Sequence, residues 1–97
     1  MHAEPRLRRH VLYSRSAEAA SQGAFAAING MQDIEHPADQ LIGLACAFKY
    51  TADACGHDPI DLIVLVERME ADCRFREANT LSAVAKYADN EIAGKLQ

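Results

Sequence analysis

Apolar residues recur at the spacing of one helix face over residues 41–73, on either side of a Gly56-His57-Asp58-Pro59 turn. Gly56 suits the left-handed residue after a helix, Asp58 suits an N-cap, and Pro59 suits a first helical position. The pattern predicts an antiparallel hairpin of two helices, at about 37–55 and 59–72, whose apolar faces pack together. The two faces comprise Leu41, Leu44, Ala45, Phe48, Ala52 and Cys55, then Leu62, Leu65, Val66, Met69 and Cys73.

Two further helices are predicted on either side of the hairpin. One begins after Ser14 or Ser16 and runs to about Asn29, with Gly30 as its terminator. The first hairpin helix then begins at His36-Pro37. The other carries apolar residues from Leu81 to Ile92. We therefore expect an all-α fold, a four-helix domain over residues 14–97 built around the central antiparallel helical hairpin. Residues 1–13 have no sustained period, and we expect them to form a basic flexible arm, the alternative being a short turn that Leu7, Val11 and Leu12 dock onto the body.

The second hairpin helix is apolar on more than one side. Ile60, Ile63 and Val64 fall outside the stripe centred on Leu62 and Leu65. These three side chains therefore need a second surface that covers them. We favour cover by the first or last helix within the monomer, and the alternative is a contact with a second copy or a target protein.

Composition predicts one small domain with a thin core. The chain has 97 residues, 49% of them hydrophobic, and no Trp, so a second copy would help to cover the core and we expect a homodimer. No apolar run approaches the roughly 20 residues that span a bilayer, and none follows the N-terminal Arg residues. The odd number of Cys, at Cys46, Cys55 and Cys73, suits reduced core thiols. A soluble, cytoplasmic protein without membrane contact is expected.

Charge is unevenly distributed along the chain. Residues 1–16 carry four basic side chains against Glu4, whereas the remainder carries six basic and thirteen acidic ones. The acidic body would repel phosphate, so nucleic acid could bind through the arm only. The arm residues that would contact phosphate are Arg6, Arg8, Arg9 and Arg15.

No motif indicates catalysis, a metal or a cofactor. Cys55 and His57 form one close pair of metal ligands, but a structural zinc site needs two such pairs. The serines lack a Gly-x-Ser-x-Gly setting, and acid pairs such as Asp58 with Asp61 are ordinary at helix starts. We expect no catalytic residues, no metal site, no cofactor and no enzymatic activity.

The hairpin has the outline of a helix-turn-helix, but its charge is wrong for DNA. The segment that would enter the groove, residues 58–72, carries five acidic side chains and Arg68 alone. The same acidic surface suits a protein partner with a basic groove. The residues predicted to bind such a partner are Asp58, Ile60, Asp61, Ile63, Val64, Glu67 and Glu70.

Residues 36–92 resemble a group of small helical accessory proteins encoded in proteobacterial phages and prophages. The resemblance lies in three segments, ADQLIGLACAFKYTADACG, DPIDLIVLVERM and LSAVAKYADNEI. It implies a phage accessory protein in the bacterial host cytoplasm that binds and redirects a host protein, including inhibition of a defence system. It carries over no catalytic residues.

Three functions are thus expected from the sequence. The first is a non-enzymatic phage-derived binding protein that modulates or inhibits a host protein through its acidic and apolar helical surface. The second is a small nucleic-acid-associated regulator that uses the basic arm. The third is a structural phage component, which would assemble into a large ring.

Overall fold

The computed structural model of the chain describes residues 7–73 and 78–96. Over these residues the secondary structure consists of helices and connecting turns, with no strand. Five α-helices follow one another along the chain, and a short 3-10 helix follows the fifth. They are α1 (Arg9–Tyr13), α2 (Ala17–Gly30), α3 (Pro37–Cys55), α4 (Pro59–Cys73), α5 (Ala78–Glu91) and the 3-10 helix (Ala93–Leu96).

Local capping explains where these helices begin. Ser16 accepts a hydrogen bond through its hydroxyl oxygen from the Ala19 amide at 3.0 Å, and His36 Nδ1 accepts one from the Ala38 amide at 3.0 Å. Pro37 then occupies the first turn of α3. The predicted all-α class and the predicted start of α3 are confirmed.

The number of helices differs from the prediction. The additional helix is α1, which lies within residues 1–13 and is only five residues long. The Leu12 amide donates to the Arg8 carbonyl at 3.2 Å, and Leu12 and Tyr13 are half-buried. These contacts hold one helical turn in a segment that shows no helical period in sequence. The mobility of the remaining arm stays a prediction.

The main tertiary pairing joins α2 to α5. Phe25 of α2 meets Tyr87 of α5 edge to face, with ring centroids 5.2 Å apart and ring planes at 77°. The Tyr87 hydroxyl donates a hydrogen bond to Asn29 Oδ1. Helix α5 also contacts α4, so it lies between the first long helix and the hairpin.

The hairpin helices do not bury their predicted faces along their whole length. Ala52, close to the turn, is 4% exposed, whereas Leu41 near the start of α3 is 65% exposed. Val66 on the predicted stripe of α4 is 45% exposed. The predicted packing of the two apolar faces is therefore wrong at Leu41 and Ala45, which are exposed, whereas Leu44, Phe48 and Cys55 of the same face are half-buried.

A buried amide ties α3 to the end of α2. Gln40 is 1% exposed, and its Nε2 donates to the Met31 carbonyl at 2.9 Å. The bond occupies a carbonyl just beyond the α2 C-terminus, where helices leave such groups without intrahelical partners. The same carbonyl accepts from the Ile34 amide at 2.9 Å, so Gln40 links α3 to the connection that follows α2.

Candidate protein-binding surface

The turn that positions α4 is built from two local motifs. The Gly56 amide donates to the Asp53 carbonyl at 3.0 Å and the His57 amide to the Ala52 carbonyl at 2.9 Å, the pairing of a Schellman motif. Gly56 has φ 84° and ψ 26°, as that motif requires. Asp58 Oδ1 then accepts from the Ile60 amide at 2.9 Å and caps α4. The predicted roles of Gly56 and Asp58 are confirmed.

Helix α4 presents an apolar face to solvent. Ile60, Ile63 and Val64 are 71%, 50% and 44% exposed. At 100° per residue they lie on the side of the helix opposite Leu62 and Leu65, which are half-buried. Cover of these three side chains by another helix of the monomer, which the sequence favours, is therefore wrong.

Carboxylates surround this apolar face. Asp58, Asp61, Glu67 and Glu70 are all exposed, with Asp58 at the start of the helix. By helical rotation Glu67 lies on the same face as Ile63 and Val64, while Asp61 and Glu70 lie to either side. All seven residues predicted to bind a protein are therefore on the exposed side or at the start of α4. We call this set the α4 face.

The residues predicted to contact phosphate lie elsewhere in the chain, and Arg68 is the basic residue of α4. Arg8, Arg9 and Arg15 are exposed, on α1 or immediately beside it. The Arg9 guanidinium lies 5.1 Å from the centroid of the Tyr13 ring, in a cation–π contact. Arg6, the fourth predicted phosphate-binding residue, lies outside the described residues.

The start of the described chain is attached to the hairpin turn, which sequence reasoning missed. The Leu7 amide donates to the Cys55 carbonyl at 3.2 Å, and His57 Nε2 donates to the Leu7 carbonyl at 2.5 Å. His57 itself is half-buried. No local pattern signals this contact, because its partners are 50 residues apart.

An apolar cleft lies between the end of α2, the start of α3 and the end of α5. Its volume is about 530 Å³. Ile28 and Met31 contribute one wall, Leu41 and Leu44 a second, and Ile92 closes the third side. His36 and Asp89 are the titratable groups among its lining residues.

Among the described residues no three His, Cys, Asp or Glu side chains come together as a metal site would require. Cys55 is half-buried and Cys46 is exposed, so Cys46 is not the core thiol that the sequence predicts; the side chain of Cys73 is outside those described. The Asp53 carboxylate, 3.1 Å from Lys49 Nζ, raises the pKa of Lys49 above its ordinary value by its hydrogen bond and its charge.

Comparison with known proteins yields no match among family models, curated proteins or solved structures. A search of the described residues for helices that could cross a membrane finds none of sufficient length and apolarity.

Proposed function

We propose that this chain is a non-enzymatic binding protein that attaches to another protein through the α4 face. The observation that carries the proposal is the exposure of Ile60, Ile63 and Val64 together on one side of a well-capped helix. Grouped apolar side chains rimmed by polar groups are typical of protein interaction sites. Covering them would contribute on the order of 1 kcal/mol per side chain, since each is about half exposed.

The spacing of the α4 face favours helix-in-groove binding. Ile60, Ile63 and Val64 occupy positions i, i+3 and i+4 of the pattern by which the apolar face of an amphipathic helix fills a groove, and Glu67 at i+7 ends the apolar row with a carboxylate. The surrounding carboxylates suit a groove with Lys and Arg at its rim, because complementary charge accelerates encounter and excludes wrong partners. We therefore expect an apolar groove with a basic rim on the partner.

The resemblance to phage and prophage accessory proteins supports a bacterial host protein as this partner. Binding at a basic, functional groove would block the groove for its own substrate. The chain would then act as a modulator or inhibitor of the host protein, and a defence-system component is one such target.

The test compares three tagged proteins in a bacterial lysate at moderate salt. They are the wild type, the double variant Ile63→Asp with Val64→Asp, and the matched control Val11→Asp, which alters an exposed aliphatic residue of similar exposure on α1. We expect the wild type and the control to retain one host protein stoichiometrically, and the double variant to lose it. Equal capture by all three proteins, or no specific capture, would contradict the proposal.

The exposed guanidinium groups of Arg8, Arg9 and Arg15 support a second candidate, a nucleic-acid-associated regulator. Such a regulator would shift DNA in a gel at low salt, and the shift would disappear when residues 1–13 are deleted. A chain that causes no shift at low salt is not a regulator of this kind.

A further inference from the structure

The first turn of α3 depends on one residue for its hydrogen bonds. The first amides of a helix have no partner within the helix, and Pro37 has no amide hydrogen to satisfy. The Asp39 and Gln40 amides donate to the His36 carbonyl at 3.0 and 3.1 Å. The Ala38 amide donates to His36 Nδ1 at 3.0 Å. Every amide hydrogen of residues 37–40 therefore bonds to His36.

The bond from Ala38 fixes the protonation state of the His36 ring. A ring nitrogen that accepts a hydrogen bond carries no proton, so the proton of the neutral ring lies on Nε2. A protonated ring carries a proton on both nitrogens and accepts a hydrogen bond at neither. The side-chain cap of α3 and a protonated His36 ring therefore exclude each other.

The end of α3 opposes a protonated ring, whereas the charged groups nearby favour one. The N-terminus of a helix carries the positive end of its dipole and repels a cation. Helix α2 contributes apolar residues to the cleft that His36 lines, Ile28 and Met31. The charged groups beside the ring or the cleft are carboxylates, namely Glu35 and Asp39 next to α3, and Asp89 and Glu91 of α5. A protonated ring is thus repelled by the amide it had bound and attracted by these carboxylates.

The ring of His57 responds differently to acid. His57 Nε2 donates to the Leu7 carbonyl, and a donor nitrogen keeps its proton when the ring is protonated. The bond from His57 therefore survives acidification, whereas the bond to His36 does not. Among the described hydrogen bonds of these two rings, acid selects the one at the start of α3.

The turn that His36 caps also carries a tertiary contact. Gln40 ends this turn and donates through its buried amide to the Met31 carbonyl at 2.9 Å. Pro37 and Ala38, within the same turn, line the cleft. Loosening of the turn would therefore alter the wall of the cleft and the link from α3 to the connection that follows α2.

We propose that His36 is a pH-sensitive cap, whose neutral ring closes the first turn of α3 and whose protonation releases the Ala38 amide and loosens residues 37–40. An imidazole ordinarily titrates at about pH 6.5, so mild acidification is sufficient. The cap lies at the opposite end of α3 from the hairpin turn. It is therefore independent of the proposed partner of the α4 face.

The test measures amide exchange at single residues by NMR at about pH 7.5 and about pH 5.5, on either side of imidazole titration. Each rate is divided by its intrinsic value at that pH. In the wild type the Ala38 amide is expected to lose protection about fivefold at the lower pH, the equivalent of one hydrogen bond. The Ala19 amide is the internal reference, because the Ser16 hydroxyl that caps it at the same 3.0 Å does not titrate in this range. Its protection should not change.

Two variants separate the cap from the titration. His36→Asn keeps a preferred capping oxygen that accepts at both pH values, so protection of Ala38 should be retained at the lower pH. His10→Asn removes an exposed imidazole from α1 and should respond as the wild type does. Circular dichroism at both pH values checks folding. If His36→Asn does not fold, His36→Ser supplies another preferred cap that does not titrate.

Three results would overturn the proposal. The first is unchanged protection of Ala38 in the wild type between the two pH values. The second is an equal loss of protection in wild type and His36→Asn, which would assign the change to the carboxylates near the turn. The third is an equal loss at Ala19 and Ala38, which would show a general loosening of the fold by acid.

Discussion

The ring of Tyr87 stands at 77° to the ring of Phe25, 5.2 Å between centroids, and its hydroxyl donates to Asn29 Oδ1 on the same helix as Phe25. The Tyr87 side chain of α5 thus contacts α2 through its aromatic ring and through its hydroxyl. The contact joins residues about 60 positions apart and closes the chain around the hairpin. Tyr87 thus anchors the last long helix to the first by a ring contact and a hydrogen bond.

Removing the Tyr87 hydroxyl tests this anchor. Tyr87→Phe keeps the ring contact with Phe25 and loses the hydrogen bond to Asn29, so we expect the free energy of unfolding to fall by about 1 kcal/mol. Urea denaturation measures the change. Tyr50→Phe is the control, because Tyr50 is 65% exposed and its change should be within about 0.5 kcal/mol. An equal loss in the two variants would contradict the anchoring role.

Replacing glycine by alanine should change stability in opposite directions at Gly56 and Gly23, because Gly56, the residue after α3, has a left-handed backbone conformation. Gly56 has φ 84°, so Gly56→Ala should destabilise the fold by about 1–2 kcal/mol. Gly23 lies within α2, and an added Cβ there meets no atom within 4 Å. Gly23→Ala should therefore stabilise the fold by up to about 1 kcal/mol. Thermal unfolding of both variants checks the pair, and a stabilised Gly56→Ala would refute the prediction.

The bond from His57 to the Leu7 carbonyl predicts local coupling between the turn and α1. His57→Ala should raise amide hydrogen exchange over residues 7–13 by about fivefold to tenfold, since one hydrogen bond contributes about 1 kcal/mol. Exchange within α2 should change little. His10→Ala, at an exposed position of α1, is the control. If exchange over residues 7–13 is the same in wild type and His57→Ala, the bond does not hold α1.

Asp58 caps α4, and under the proposed function its charge also attracts the partner; two substitutions separate these effects. Asp58→Asn keeps an N-cap oxygen and removes the charge, so stability should hold within about 0.5 kcal/mol while association with a basic partner slows. Asp58→Ala loses the cap as well and should cost about 1 kcal/mol. Unfolding curves measure the change in stability, and binding kinetics at two salt concentrations measure the change in association rate. Equal stability of the two variants would exclude the capping role.

The structural features that could be predicted from the sequence are those formed by residues close together along the chain. The Gly56 turn, the Asp58 cap and the Pro37 start depend on hydrogen bonds that span two to five residues, so their side chains indicate them directly. The candidate site was predicted in the same way, because Ile60, Ile63 and Val64 lie off the main apolar stripe of their own helix. Their cover by another helix was wrongly favoured, since helical period indicates an apolar face but not the element that packs against it.

The sequence by itself determined the all-helical class, the hairpin turn and the membership of the α4 face, because capping and helical period are local properties. Only the tertiary structure decided that α5 packs on α2, that His57 holds Leu7, and that Leu41 stays exposed beside an open cleft. Each of these depends on side chains brought together from distant positions in the chain. Many pairings of five amphipathic helices satisfy the same local pattern, and only the packing of particular side chains selects one of them.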